Sequence, residues 1–214
     1  METLRLPTDG AAYRIAKRLL DLLLSLAALP MIVLIGAFVA VLVKISSPGP
    51  IFYRHTRIGL GGKSFSLWKF RTMLHQSDAV FSAHLASDAN ARNEWMCYRK
   101  LRRDPRITGI GRFLRRTNLD ELPQILNVLL GQMSLVGPRP VMEEEIPRYG
   151  AGMSLYFAVL PGITGMWQVG GRGDVPYERR IALDVEYVST WSLIRDVHVL
   201  AKTFRAVWSG SGAY

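Results

Sequence analysis

The chain has 214 residues, 49% hydrophobic and 21% charged, which excludes a disordered segment and fits one domain, or a small domain with a membrane element. Lys and Arg number 27 against 17 Asp and Glu, a net charge of +10, so an anionic partner is expected: nucleic acid, an acidic membrane face or a phosphorylated substrate. Cys97 is the single cysteine, which excludes an internal disulfide and suits a domain facing a reducing cytosol.

Residues 1–13 read as a polar lead-in. Leu19 to Val43 is almost wholly apolar. As a straight helix it reaches roughly 37 Å, against about 30 Å for a hydrocarbon core, and it is too long for a signal peptide. Residues 14–47 are therefore read as a retained membrane segment. Arg14, Lys17 and Arg18 precede its apolar run, and Lys44, Arg54 and Arg57 follow it. A spanning helix should carry its positive charge mainly on the cytoplasmic side. Charge at both ends is the pattern of a segment that enters and leaves by one face. Pro30 predicts a kink and Gly36 a second weak point. Asp21 calls for Arg14 or Arg18 as its partner. A re-entrant helix and a spanning helix with a proline kink both fit.

Ser46 to Pro50 ends that helix. Ile51–Tyr53 and Ser64–Phe70 read as strands joined by a turn at Gly59–Gly62. Residues 77–102 read as helical, Asp104–Gly109 as a loop, and Ile110–Leu114 as a short helix or turn. Asn118 is placed to cap the next helix, with Glu121 at capping-box spacing, Pro123 in the first turn, and Ile125, Leu126, Leu129 and Leu130 as the buried stripe that Gly131 terminates. The glycine-proline turn at Gly137–Pro140 follows, with Pro138 and Pro140 as rigid elements. Glu143–Glu145 reads as a solvated acidic face, Pro161–Gly165 as a tight turn, and Gln168–Gly173 as a polar loop. A last long helix over residues 178–208 keeps Leu193, Ile194, Val197, Leu200, Phe204 and Val207 at helical spacing among basic residues, suited either to core packing or to an acidic bilayer surface. Trp191 and Trp208 are candidate interfacial anchors.

The chemistry centres on Asp120 and Glu121. Taken alone, they are acids at a helix start that complement its dipole. Among arginines, a carboxylate can also stay ionised and serve as nucleophile or as ligand to a hard cation such as Mg²⁺. Arg71, Arg115, Arg116, Arg139 and Arg172 lie at turns or helix starts, and guanidinium groups bind phosphate bidentately. Singly each is a surface charge; grouped around one acid pair they point to phosphate. The histidines (His55, His75, His84, His198) are scattered and read as non-catalytic.

Several ordered runs together resemble the bacterial sugar transferase family, the small monotopic phosphoglycosyl transferases. They are Ser47–Phe52 (SPGPIF), Lys69–Met73 (KFRTM), Asp104–Thr108 (DPRIT), Leu119–Gln124 (LDELPQ), Ser134–Pro140 (SLVGPRP) and Pro161–Gly165 (PGITG). The likeness covers about Arg14 to Phe204. It implies an α/β, mostly α, fold: a re-entrant membrane helix-break-helix plus a small cytosolic catalytic domain, residues 48–214, with interfacial amphipathic helices. It also implies transfer of a hexose-1-phosphate, galactose or glucose, from a UDP-sugar to undecaprenyl phosphate with release of UMP, at the cytoplasmic face of the bacterial inner membrane. By the same resemblance Asp120 is the nucleophile of a covalent phosphosugar intermediate and Glu121 binds Mg²⁺. Lys69, Arg71, Arg115, Arg139, Gln168 and Arg172 are the implied phosphate and substrate contacts, and Pro30 the break in the membrane helix. Membrane lipids are expected partners and a homodimer is admitted. Pro30 comes early for the family's break, and Gly170 stands where Asn or Ser is usual. The rival from another class, a membrane-tethered nucleic-acid binder, rests on the +10 charge alone; no recognition helix or stacking module supports it.

Overall fold

The computed structural model describes residues 10–98, 101–170 and 176–208, so Arg172 and the side chain of Trp208 lie outside the description. Helix α1 covers Ala11–Ser46, strands β1 and β2 cover Phe52–Ile58 and Ser64–Phe70, and helices α2, α3 and α4 cover Asp78–Ser87, Ala89–Tyr98 and Gly109–Thr117. A 3₁₀ turn at Leu119–Glu121 leads into α5 (Gln124–Leu129) and then β3 (Ser134–Val136). Beyond it come α6 (Ile146–Tyr149), α7 (Met153–Phe157), β4 (Gly162–Thr164), α8 (Met166–Val169), α9 (Tyr177–Ser189) and α10 (Leu193–Trp208). The chain is mostly helical with two small two-stranded sheets, β1–β2 antiparallel and β3–β4 parallel.

Among the described residues α1 is the one helix long and apolar enough to cross a membrane. At 36 residues it is roughly 54 Å long by helical rise. It runs unbroken through Pro30, so the expected helix-break-helix is not seen in its secondary structure. Proline removes one ladder bond, and packing at both ends of the helix outweighs that loss. Its inner stripe steps by four residues: Lys17, Asp21 and Ser25, then Val39 and Val43, all buried. Val39 and Val43 pack with Phe70 and Leu114. The outer face is bare, with Leu23, Met31, Leu34, Phe38 and Ile45 exposed.

The polar half of the stripe corrects a sequence expectation. Asp21 is not paired with Arg14 or Arg18. Its Oδ1 accepts from the Ser134 hydroxyl and the Leu135 N–H, each at 3.0 Å. Arg18 instead donates to the carbonyls of Val128 at 2.6 Å and Leu129 at 2.9 Å, a cation at the C-terminal end of α5 where free carbonyls gather. Lys17 donates to the fully buried Asp196 of α10 at 2.6 Å. Asp196 also accepts from Tyr187 at 2.8 Å and from the Trp191 indole at 3.1 Å. Trp191 is thus a half-buried, hydrogen-bonding side chain, its ring 4.1 Å edge-on to Tyr13.

Three helical expectations are redrawn by local caps. Residues 77–102 split into α2 and α3 because the Asp88 carboxylate accepts from the N–H groups of Asn90 and Ala91, starting a new helix. The last helix splits at Thr190–Ser192, where Ser192 Oγ accepts the Arg195 N–H at 3.2 Å. Asn118 is both the C-cap of α4 and the residue leading into the 3₁₀ turn Leu119–Glu121, but its φ of 56° is left-handed and no side-chain cap bond forms, as expected where Asn ends a helix; α5 itself starts only at Gln124. In α5 the buried side is Gln124, Ile125, Asn127 and Val128. Leu126 and Leu130 are exposed, so the predicted leucine stripe is only partly inward. Asn127 explains the offset. Its side chain accepts the Trp68 N–H at 3.1 Å and donates to the Ser66 carbonyl at 2.8 Å, fastening α5 to β2.

The expected turn at Pro161–Gly165 is a strand, β4, paired with β3 (Ser134 opposite Gly162, Val136 opposite Thr164). Gly137 and Gly162 make this pairing sterically feasible: a Cβ on Gly162 would fall 2.1 Å from the Gly137 nitrogen. Two motifs far apart in sequence therefore meet backbone to backbone.

Candidate active site

The β1–β2 hairpin, the 3₁₀ turn, the Gly137–Pro140 loop and α8 surround a cavity of about 700 Å³. Lys69, Glu121, Arg57, Arg139 and Gln168 line one part of it; Leu24, Ala28 and Ile32 of α1, with Leu200 and Phe204 of α10, line another. Strand alternation sets the polar wall. Tyr53, His55 and Arg57 share a face of β1, with Lys69 directly opposite Tyr53.

Lys69 donates to Glu121 Oε1 at 2.6 Å, and the Glu121 side chain is 33% exposed. Burial alone pushes the Glu121 carboxyl up, but the Lys69 charge and hydrogen bond, then Arg139 and Gln124, hold it below the ordinary range. Asp120, one residue earlier, is 8% exposed. Burial pushes its carboxyl up to about 6, with Lys69 and Arg115 opposing and Glu121 adding to the rise. The Asp120 carboxylate accepts no hydrogen bond from another described side chain, and it lies beside the cavity rather than in its lining. Turning it inward breaks no side-chain hydrogen bond. The two adjacent acids are therefore unlike: one salt-bridged and firmly ionised, one desolvated and near neutrality in its titration.

Arg139 is exposed, between buried Pro138 and Pro140. Those prolines are rails. The Pro138 carbonyl accepts the Gly162 N–H at 2.8 Å and the Pro140 carbonyl accepts from Arg57 at 3.2 Å, so the arginine between them projects from a fixed backbone.

The bacterial sugar transferase model matches residues 12–210. The exopolysaccharide production protein ExoY of Sinorhizobium fredii is 44% identical over 213 residues, 98% of this chain and 94% of that protein. The undecaprenyl-phosphate galactose phosphotransferase of Salmonella typhimurium is 49% identical over 166 residues, 78% of this chain and 35% of its own length. The UDP-glucose:undecaprenyl-phosphate glucose-1-phosphate transferase of Escherichia coli is 38% identical over 217 residues, 97% of this chain and 43% of that one. The chain belongs to the bacterial sugar transferase family. The enzyme class inferred from its motifs is thereby shown.

In this sugar transferase the implied site residues do not all converge. Lys69, Glu121, Arg139 and Gln168 line the cavity; Gln168 donates to the Ile163 carbonyl at 3.3 Å. Arg115 stands behind Asp120, with Nε on the Thr72 hydroxyl at 2.9 Å. Arg71 is elsewhere. It is buried, and it donates to the Pro50, Pro48 and Ser47 carbonyls at 2.6, 2.9 and 2.8 Å and to Ser47 Oγ at 2.6 Å. It closes the C-terminal end of α1 and its donors are spent there, which corrects its expected role in phosphate binding.

Residues not anticipated also shape the site. Arg57, read only as a flanking charge, lines the cavity and pairs with Glu145 at 3.4 Å. Glu145 is not part of a solvated face: it also accepts the Met142 N–H at 2.7 Å and the Tyr177 hydroxyl at 3.0 Å. Arg180 and Arg139 stand 4.8 and 5.7 Å from the Trp167 ring centroid. Asp184 on α9 is buried, accepts from Tyr149 at 2.8 Å, and is pushed by burial up to about 7. The available signal was an acid on an apolar helical stripe, with Ile181 and Val188 for Asp184 and with Val199 and Leu200 for Asp196.

Among the described residues no group of three or more His, Cys, Asp or Glu is assembled to hold a metal by itself. A hard cation that takes one or two carboxylates and completes its shell with substrate phosphates and water fits the ionised Glu121 beside Asp120.

Proposed function

We propose that the enzyme transfers a hexose-1-phosphate, galactose or glucose, from a UDP-hexose to undecaprenyl phosphate, the first membrane step in building an exopolysaccharide. The observation that carries this reading is the two-part wall of the cavity. Lys69, Glu121 and Arg139 offer charge to phosphate, while Leu24, Ala28, Ile32, Leu200 and Phe204 offer an apolar surface to a polyprenyl chain. A soluble sugar acceptor would have no use for the second part. The names of the Salmonella and Escherichia relatives support the choice of hexose and carrier.

The chemistry runs in two displacements. A carboxylate oxygen of Asp120 attacks the sugar-bearing phosphorus, and the bond from that phosphorus to the bridging oxygen breaks. The electron pair leaves on UMP. An oxygen of undecaprenyl phosphate then attacks the same phosphorus, the bond to Asp120 breaks, and the carboxylate is restored. Splitting the transfer lets a soluble donor and a lipid acceptor use one site in turn. Glu121, with the donor phosphates, would hold Mg²⁺, which when bound screens phosphate charge and stabilises the leaving oxygen. Lys69 and Arg139 orient the anionic groups, and Arg115 keeps a positive charge behind the nucleophile.

Support for entry of α1 from one membrane face comes from its anchoring. Lys17 and Arg18 fasten one end to α10 and α5, and Arg71 fastens the other through Ser47. A helix tied at both ends to one body lies alongside it, with its bare face turned to lipid. The catalytic domain then rests on the cytoplasmic surface at headgroup height.

The test is covalent labelling. Enzyme incubated with sugar-labelled UDP-hexose and Mg²⁺, without acceptor, should carry the label, and undecaprenyl phosphate should chase it off. Asp120→Asn should lose label and turnover by about a thousandfold or more, as for removal of other nucleophiles. Full labelling of that variant would overturn the assignment.

A further inference from the structure

Lys69 and Glu121 come from different elements, β2 and the turn that leads into α5, yet they meet at 2.6 Å. The pair itself is a poor fastener. The Lys69 side chain is 25% exposed and that of Glu121 33%, and ion pairs open to water add little to stability. A lysine ammonium on its flexible stem also goes wherever its backbone lets it. We propose that Asn127 is a positioning residue for the reaction: its buried amide keeps the strand of Lys69 in register with the helix that follows Glu121. This rests on the displacement scheme above and adds to it the means by which Lys69 is placed.

The β1–β2 sheet has two strands, so one edge of β2 is open to other partners. Asn127 takes that edge. Its Oδ1 accepts the Trp68 N–H at 3.1 Å and its Nδ2 donates to the Ser66 carbonyl at 2.8 Å. These are the groups on either side of Leu67 that a neighbouring strand would use. Nδ2 also donates to Gln132 Oε1 at 2.7 Å. The amide's acceptor and both its donors are thus engaged, which fixes its orientation. Asn127 is fully buried. Its main-chain carbonyl accepts the N–H groups of Gln132 at 2.9 Å and Met133 at 3.1 Å, closing the end of α5. Toward the other end, successive turns bond Leu126 to Pro123, Ile125 to Leu122 and Leu122 to Leu119. Glu121 and Asn127 therefore ride on one stiff segment.

A buried asparagine is ordinarily a hub of the fold, and apolar packing already joins these elements: Leu67, Val128 and Met133 share a core cluster. Apolar contact is non-directional, so it sets proximity and tolerates sliding. Two hydrogen bonds to fixed backbone groups admit one register. Asn127 does not line the cavity, so whatever it does for the reaction passes through another residue. Lys69 is next in sequence to Trp68, whose N–H the amide holds, and a slip of β2 against α5 is passed directly to it. A misplacement of about 1 Å can cost on the order of a hundredfold in rate.

A double-mutant cycle separates positioning from folding. Full-length wild-type enzyme, Asn127→Asp, Lys69→Met and the double variant are compared in lipid nanodiscs by the rate at which sugar-labelled UDP-hexose with Mg²⁺ labels the protein. Asn127→Asp keeps the acceptor for Trp68 but sets a carboxylate oxygen against the Ser66 carbonyl and Gln132 Oε1. It should slow labelling about tenfold or more when Lys69 is present, and by less than about twofold in the Lys69→Met background. Equal slowing in both backgrounds overturns the proposal, and so does a Lys69→Met enzyme that labels at the wild-type rate. Gln132→Ala, at a half-buried position, withdraws one partner of the amide. It should slow labelling about threefold, again only with Lys69 present, and it carries the test if chemical denaturation shows Asn127→Asp to be unfolded. A second readout needs no substrate. Amine modification followed by mass spectrometry should find Lys69 about threefold or more reactive in Asn127→Asp, with the exposed Lys63 of the same hairpin unchanged. Unchanged Lys69 reactivity in the folded variant overturns the clamp whatever the kinetics show. Wild-type enzyme that takes no label overturns the displacement scheme instead, and Lys69 reactivity then decides the clamp alone.

Discussion

The seam along α1 and the polar wall of the cavity use the same residue types to opposite ends. In the seam each cation meets a matching internal partner: Lys17 the carboxylate of Asp196, Arg18 two carbonyls of α5, Arg71 the carbonyls and hydroxyl that follow α1. Around the cavity Arg57 keeps an Nε without a partner among the described residues, and Arg139 stands exposed between two buried prolines. The net charge of +10 therefore divides into cations consumed by the fold and cations directed at a ligand. Neither count nor spacing along the chain separates them. What separates them is whether acceptors of the right geometry lie within reach.

The contrast can be broken most forcefully at the seam. Asp196→Ala strands the buried Lys17 ammonium and the donors of Tyr187 and Trp191. It should lower stability by about 3–5 kcal/mol in chemical denaturation, with UMP affinity unchanged in whatever fraction stays folded. A loss of under 1 kcal/mol would show that the seam is not held as described. Arg71→Lys keeps the charge but not the planar fork, and it should cost about 1–3 kcal/mol of stability with donor KM within twofold. A large rise in donor KM would return Arg71 to the substrate. The gentlest probe is pH. Asp120 attacks only when ionised and its carboxyl is pushed up to about 6. The labelling rate should be flat above that value and fall about tenfold per unit below it, a change worth about 1.4 kcal/mol per unit. A rate flat down to pH 4 would mean that Asp120 does not titrate there or is not the attacking group.

Much of this was legible in the residues. The apolar run at Leu19–Val43, the strand at Ser64–Phe70 and the end of α5 before Gly131 follow from hydropathy and from Gly and Pro, which act locally. The motif runs placed Asp120, Glu121, Lys69 and Arg139 in one site, and all but Asp120 line the cavity. Arg71 misled because KFRTM places it two residues from Lys69, a spacing that would share a strand face, but β2 ends at Phe70 and Arg71 turns onto the Ser47–Pro50 segment instead. Asn118 misled because Asn favours both ends of a helix; the turn before it decided which.

The sequence by itself determined the helical period of α1, the apolar and polar halves of the chain, and the presence of a carboxylate pair with arginines to match. Only the tertiary structure decided that α1 lies along the domain, that Gly137 and Gly162 touch, and which arginines face a ligand. The physical reason is range. Helix caps, turns and hydrophobic periods are set by neighbours a few residues apart. The pairings of Lys17 with Asp196 and of Ser134 with Asp21 join residues 179 and 113 positions apart, and such partners are chosen by packing.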